Sequence, residues 1–272
     1  MSQLSLQHHL DLPTLTFILG ASMLGSPMAK RRVDVLLVER GLAESREKAQ
    51  AAVLAGAVLV GQQPAVKPGT LIDEAAELTL LASSQYVSRG GEKLAHALTI
   101  FGVKVKGLVA LDVGASTGGF TDCLLQQGAA RVYAIDVGYG QLDYRLRQDP
   151  RVVVMERTNV RYLSELPEKV DLATVDVSFI SLEKVLPAVA QQLKPAGRIV
   201  ALFKPQFQAR RQEVEKGGVV RDPLRHAALI GRFAAWAVSQ GYRLLGLTKS
   251  PLLGPAGNVE FFFHLRPPLN LQ

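Results

Sequence analysis

At 272 residues, with 48 % hydrophobic and 20 % charged residues, the chain suits a small domain beside a medium one and can build a sizeable core. Its single cysteine, Cys123, excludes a disulfide framework and a C-x-x-C metal centre, so no metal is expected and a reducing cytoplasm fits best. A formal charge of +7 decides nothing alone, but it points to a polyanionic partner once the basic side chains are placed.

Residues 1–27 read as an upstream extension. The apolar run at 15–24 follows Asp11 with no Lys or Arg before it, unlike an export signal, and is too short to span a bilayer. Met28-Ala29-Lys30-Arg31-Arg32 reads as a natural start.

From 28 to 82 the pattern predicts a compact α+β unit. Val33, Leu36 and Leu37 form one helical face ended by Gly41, and Ser45 caps a second helix running through Ala49, Val53 and Leu54 to Gly56. Short strands follow at 58–60, 64–67 and 77–80, with a turn at Gly61. Arg31, Arg32, Arg40, Arg46 and Lys48 surround the helices. The stretch from Leu36 to Ala49, with Gly56-Ala57-Val58-Leu59-Val60-Gly61, resembles the S4 RNA-binding domain, which lays two helices on structured RNA. The resemblance implies that these five cations meet phosphates, supplying affinity more than sequence choice.

A linker at 83–90 leads into a larger domain, 91–268. Strands are predicted at 109–111, 131–135, 152–155, 172–175, 199–203, 243–250 and 260–265, and helices at 121–127, 182–192 and 225–240. This alternation is a doubly wound α/β sheet. The last two strands, joined through 251–259 without a helix, predict an antiparallel hairpin closing the sheet, an arrangement that resembles the class I, Rossmann-like methyltransferase sheet.

Between the first strand and helix lies Asp112-Val113-Gly114-Ala115-Ser116-Thr117-Gly118-Gly119-Phe120. Its glycines allow backbone to approach a ligand, and the amides opening the next helix face the same place. A dinucleotide fingerprint needs G-x-G-x-x-G, whereas this stretch reads D-x-G-x-x-x-G-G, which favours S-adenosylmethionine. Asp112 is then expected to meet the ammonium of its aminoacyl end. The second strand ends in Asp136-Val137, where a carboxylate can accept both ribose hydroxyls.

Four further charges stand at the ends of predicted elements. Asp176 and Lys204 follow strands, Glu260 begins the last one, and Lys93 lies just before the sheet domain. In the order Lys, Asp, Lys, Glu they resemble the K-D-K-E tetrad of ribose 2′-O-methyltransferases related to the FtsJ heat-shock methyltransferase. A ribose hydroxyl is a poor nucleophile at neutral pH, so it must be oriented toward the sulfonium methyl and share or lose its proton. Lys204 is expected in the central role, with Asp176 and Glu260 holding the two lysines.

The resemblance runs over residues 28–266. The small module, Val87-Ser88-Arg89-Gly90-Gly91-Glu92-Lys93-Leu94, the glycine loop, Asp136-Val137-Gly138-Tyr139-Gly140-Gln141-Leu142, Asp176-Val177-Ser178-Phe179-Ile180-Ser181, Lys204-Pro205-Gln206-Phe207 and Gly257-Asn258-Val259-Glu260 are similar to the TlyA family of rRNA 2′-O-methyltransferases, historically labelled haemolysins. That resemblance implies cytidine in small- or large-subunit rRNA as target, within 30S or 50S particles or whole ribosomes, and no stable membrane association. Two departures stand out: Ser84-Gln85-Tyr86-Val87 replaces Arg-Ala-Trp-Val between the domains, and Gln208 stands where Glu commonly follows Gln-Phe. A membrane-active haemolysin would need an amphipathic helix or barrel strands, for which 15–24 is the sole candidate. A purely RNA-binding module would not need the intact tetrad and loop. Should the small module prove not to bind RNA, Arg210, Arg211, Arg221 and Arg225 are the next candidates.

Overall fold

The computed structural model describes residues 29–268 apart from 55, 66, 81–84, 216 and 255–256. The extension at 1–27, its apolar run and Ser84 of the linker lie outside the described residues.

The small module begins with strand β1 (Lys30–Arg32), helix α1 (Val33–Glu39) and helix α2 (Arg46–Leu54). Strands β2 (Val58–Val60), β3 (Gln63–Pro64), β4 (Leu71–Asp73) and β5 (Leu78–Leu80) complete it. The apolar face predicted for the helices is the core: Val33, Leu36, Leu37, Ala49 and Val53 pack on Val58 and Leu78. Gly41 takes φ +70° after α1, and the Ser45 hydroxyl accepts the Lys48 amide 3.3 Å away, so both boundary signals act as expected. Two details differ. The expected strand at 64–67 is only Gln63–Pro64, because the chain turns at once through Lys67 and Thr70. Lys30–Arg32, read in the sequence only as part of a natural start, forms a strand that pairs antiparallel with Leu71–Asp73, itself outside the predicted set.

The large domain opens with α3 (Arg89–Phe101), a helix absent from the predicted set, followed by β6 (Val109–Val113) and α4 (Gly119–Gln126). Next come β7 (Arg131–Ile135), α5 (Tyr144–Gln148), β8 (Val152–Met155), β9 (Val170–Val175), α6 (Leu186–Gln191) and β10 (Leu193–Phe203). Helices α7 (Pro205–Gln208) and α8 (Pro223–Ser239) and strands β11 (Arg243–Lys249) and β12 (Phe261–Arg266) end the domain. The predicted helix at 182–192 is a 3₁₀ turn, Leu182–Lys184, and then α6, with Pro187 in the first turn of α6 where its missing N–H does no harm.

The seven strands lie in the order β11-β12-β10-β9-β6-β7-β8, with β12 antiparallel to both neighbours. Apolar cores cover both faces, one built on α3 and α4 and the other on α6 and α8. The chain runs from β6 to β7 on one side and returns to place β9 on the other. Ligands of open α/β sheets sit outside the strand ends at such a reversal. A Cβ built on Gly114 would stand 2.2 Å from the Asp176 carbonyl oxygen, so the two strand ends meet closely there.

Candidate functional site

Register brings the tetrad to one edge. Ala201 pairs with Val175, so Asp176 and Lys204 leave β9 and β10 at the same end. Phe203 pairs with Phe261, so antiparallel β12 starts beside the end of β10 and delivers Glu260 there. Side chains alternate along strands, and Leu172, Leu202 and Phe262 all belong to the core on the α3 face. Asp176, Lys204 and Glu260 continue that parity toward α3, which carries Lys93.

Two ion pairs result. Lys93 Nζ is 2.7 Å from Glu260 Oε2, and Lys204 Nζ is 2.5 Å from Asp176 Oδ1. Glu260 is 1 % exposed, and its Oε1 is buried without a hydrogen-bond partner among the described residues. Lys204 also donates to the Ser178 hydroxyl at 3.1 Å. All four residues line one cavity of about 770 Å³, together with Gly114, Ala115, Ser116, Thr117, Gly119 and Phe120 of the glycine loop.

That loop needs its glycines. Gly114 and Gly118 take φ +86° and +97°, where an L side chain is strained, and a Cβ on Gly119 would stand 2.2 Å from the Ser88 hydroxyl. Gly118 opens α4 without a side-chain cap, leaving the first amides of the helix open to a ligand. Asp136 Oδ2 accepts the Ser116 amide at 2.8 Å and Oδ1 accepts Gly138 at 2.7 Å. Each oxygen keeps a lone pair. Asp136 and exposed Val137 lie at the neighbouring strand end, tied to the cavity wall through Ser116. The donors and acceptors an adenosyl sulfonium needs, open amides and a carboxylate one strand over, are therefore present.

Asp112 is a correction. The expected contact with a ligand ammonium is not possible here, because Asp112 is fully buried behind the loop. Its Oδ2 accepts from Thr121 at 2.7 Å and its Oδ1 from Thr174 at 3.1 Å, so it joins α4 and β9 to β6. Burial pushes its carboxyl up to about 7, the two threonine hydroxyls opposing the shift. A folded value raised above the unfolded one near 4 means that this group's stabilisation is complete below pH 4 and is lost as the pH rises through about 7. Thermal unfolding of Asp112→Asn should accordingly lack that component: relative to the variant, the unaltered chain should lose stability between pH 4 and 7. Parallel pH profiles would contradict this placement.

The basic residues of the small module are also placed differently. Arg32 reaches buried Asp34 through two hydrogen bonds, of 2.9 and 2.8 Å, and Arg46 Nε joins it at 3.2 Å, holding the Asp34 carboxyl well below the usual range. Arg40 donates to the carbonyls of Glu74 and Ala76, Arg31 pairs with Glu39, and Lys48 pairs with Glu44. Arg40, Arg46 and Lys48 still expose much of their surface, so the face stays cationic. However, Arg31 and Arg32 lie on β1 rather than around the helices, and Arg32, Arg40 and Arg46 brace the module as well.

Sequence reasoning gave Phe179 no role. It follows Asp176 by one turn of chain, is 91 % exposed, and takes φ +63°, with its ring 5.0 Å from that of Phe207. Its ring therefore presents an open aromatic face beside the Lys204–Asp176 pair, held out by a strained backbone conformation. Its only signal in the sequence is its position inside the Asp176 motif.

Both departures from the family pattern are accommodated. Tyr86 is buried over Gly91, where a Cβ would meet its ring at 2.2 Å, and the Val87 amide donates to Asp122 at 2.8 Å. Gln208 Oε1 accepts the Leu182 amide at 3.2 Å, a task a glutamate oxygen would do equally well. Cys123 is buried in α4 and its thiol is pushed up to about 12, chiefly by burial, so it is unreactive. Among the described residues, no helix is long and apolar enough to cross a membrane.

Comparison with known proteins gives a consistent picture. Residues 86–267 match the FtsJ-like methyltransferase family and residues 31–78 the S4 domain. The chain is 50 % identical over 246 residues to the 16S/23S rRNA (cytidine-2′-O)-methyltransferase TlyA of Mycobacterium tuberculosis, covering 88 % of this chain and 91 % of that protein. It is 39 % identical over 236 residues to Hemolysin A of Brachyspira hyodysenteriae, covering 86 % of this chain and 98 % of that one. A solved structure bearing the hemolysin label, from Streptococcus thermophilus, superposes with a TM-score of 0.70 at 45 % identity, covering 89 % of this chain and 90 % of the other.

Proposed function

The chain belongs to the TlyA family, FtsJ-like methyltransferases that carry an S4 domain, and from that premise we propose that it methylates the ribose 2′-hydroxyl of a cytidine in ribosomal RNA. The observation that carries this reading is the sharing of one cavity by two lysine–carboxylate pairs and a glycine loop. S-adenosylmethionine supplies the methyl group as an activated sulfonium. The open amides of Gly119 and Phe120 and the outer lone pairs of Asp136 are the groups that would hold it.

On the chain's side, the work is positioning and proton handling. Lys204, fixed by Asp176 and Ser178, stands at the 2′-oxygen: one of its own protons passes to the Asp176 carboxylate and the hydroxyl proton passes to its nitrogen, freeing the oxygen's electron pair for the methyl, whose bond to the cofactor's sulfur would break. Lys93 holds Glu260 in place through Oε2, leaving Oε1 to accept a hydrogen bond from the same nucleotide. Phe179 gives a base a face to stack on. The S4 module's cationic face would hold the surrounding RNA through phosphates, in free subunits or in ribosomes. Buried, unreactive Cys123 suits the cytoplasm, where ribosomes are made.

Cofactor binding can be checked apart from catalysis. Asp136→Ala removes a carboxylate that also shapes the loop, and charge-assisted hydrogen bonds of this kind are worth about 1.5–3 kcal/mol. Calorimetric titration with S-adenosylmethionine should therefore show an affinity about ten- to a hundred-fold weaker than that of the unaltered chain. Equal affinity would move the ribose-binding carboxylate elsewhere.

A further inference from the structure

The cavity that holds the tetrad is walled on one side by the small module. The turn between β2 and β3, with Gly61 at φ +59°, brings Gln62 and Gln63 into its lining opposite Lys93, Asp176, Lys204 and Glu260. The juxtaposition is anchored where Arg89 meets the module: a Cβ on Gly56 would lie 3.1 Å from Arg89 Cδ, and the Arg89 guanidinium reaches the Leu253 carbonyl at 3.4 Å. Polar side chains on the opposite wall are hydroxyls or charges. Gln62 and Gln63 are the two amide side chains among the described lining residues, and both are exposed, with no side-chain hydrogen bond to the rest of the described chain.

A primary amide offers a donor and an acceptor side by side, the pattern that pairs with the edge of a nucleobase. Charged tetrad residues suit a ribose hydroxyl and have no such pattern. We propose that Gln62 and Gln63 are specificity-determining residues, which hydrogen-bond the base edge of the RNA nucleotide presented to the tetrad, so that the S4 module completes the substrate pocket as well as gripping RNA at a distance. This rests on the methyltransferase reading above. It also explains why neutral polar side chains occupy an otherwise apolar wall formed by Leu54, Leu59 and Pro64.

The test is the double variant Gln62→Ala/Gln63→Ala, assayed for tritiated methyl transfer to purified 30S and 50S particles and followed by digestion of the RNA to nucleosides. Transfer efficiency, kcat/KM, should fall about ten- to a hundred-fold, the range for losing one good bidentate base contact. The share of label in nucleosides other than the preferred one should rise. S-adenosylmethionine affinity and melting temperature should stay unchanged, since both side chains are exposed, make no side-chain hydrogen bond to the rest of the described chain, and belong to the small module rather than to the glycine loop. Transfer by the variant within twofold of the unaltered chain, with the same nucleoside distribution, would overturn the inference alone. No transfer by the unaltered chain would overturn the methyltransferase reading and this inference with it.

Discussion

Replacing Lys204 by Ala should reduce methyl transfer by about 10²- to 10⁴-fold, the usual contribution of a positioned proton-transfer group, while leaving S-adenosylmethionine affinity unchanged. The separation follows from geometry. Lys204 sits on the strand end that carries the tetrad, and its contacts are Asp176, Ser178 and the ring of Phe207, none of them in the glycine loop. Asp176 is partly open to solvent, so loss of its partner leaves a carboxylate that water can satisfy, and the fold should persist. Lys204→Arg is the sharper variant: it keeps the charge but cannot surrender a proton. Single-turnover transfer should be lost in both variants. Near-normal transfer by Lys204→Arg would reduce the residue to a fixed charge, and near-normal transfer by Lys204→Ala would remove it from the mechanism.

Glu260 predicts a different outcome, because its pair is buried on both sides. Glu260→Ala leaves the Lys93 ammonium in an almost closed environment without its partner, and breaking a buried ion pair from one side costs about 3–5 kcal/mol. A marked drop in the urea midpoint should therefore accompany loss of activity. Glu260→Gln keeps the shape and a hydrogen-bond acceptor for Lys93, so it should recover much of the stability but not the transfer rate. If both variants unfold at the midpoint of the unaltered chain, the pair is not the buried contact described above.

Much of this arrangement is legible in the sequence. Runs such as Arg131–Ile135 and Val152–Met155 are apolar, short and flanked by turn residues, and both form strands with those limits. The glycine loop and the tetrad are legible because special backbone conformations and unusual charges leave traces in residue type. What escapes are features set by partners distant in the chain. Helix α3 is hidden by Gly90 and Gly91 at its start, both poor helix formers, yet Gly91 is there because the ring of Tyr86 leaves no room for a side chain. Asp112 looks like a ligand-binding acid until Thr121 and Thr174 arrive from elsewhere to occupy both oxygens. Likewise Arg32 and Arg46 look like free cations, and only the fold shows Asp34 between them.

The hemolysin label shared by some relatives and the methyltransferase chemistry make opposed demands on this chain. The cavity described above, with two lysine–carboxylate pairs beside a glycine loop, suits a nucleotide and a sulfonium cofactor. The most direct test incubates the purified chain with tritiated S-adenosylmethionine and separate 30S, 50S and 70S particles, then digests the RNA to nucleosides. Label recovered in a 2′-O-methylated cytidine, dependent on Lys204, is the result the structure predicts. Label found only in a base, or in no nucleoside from any particle, would contradict it.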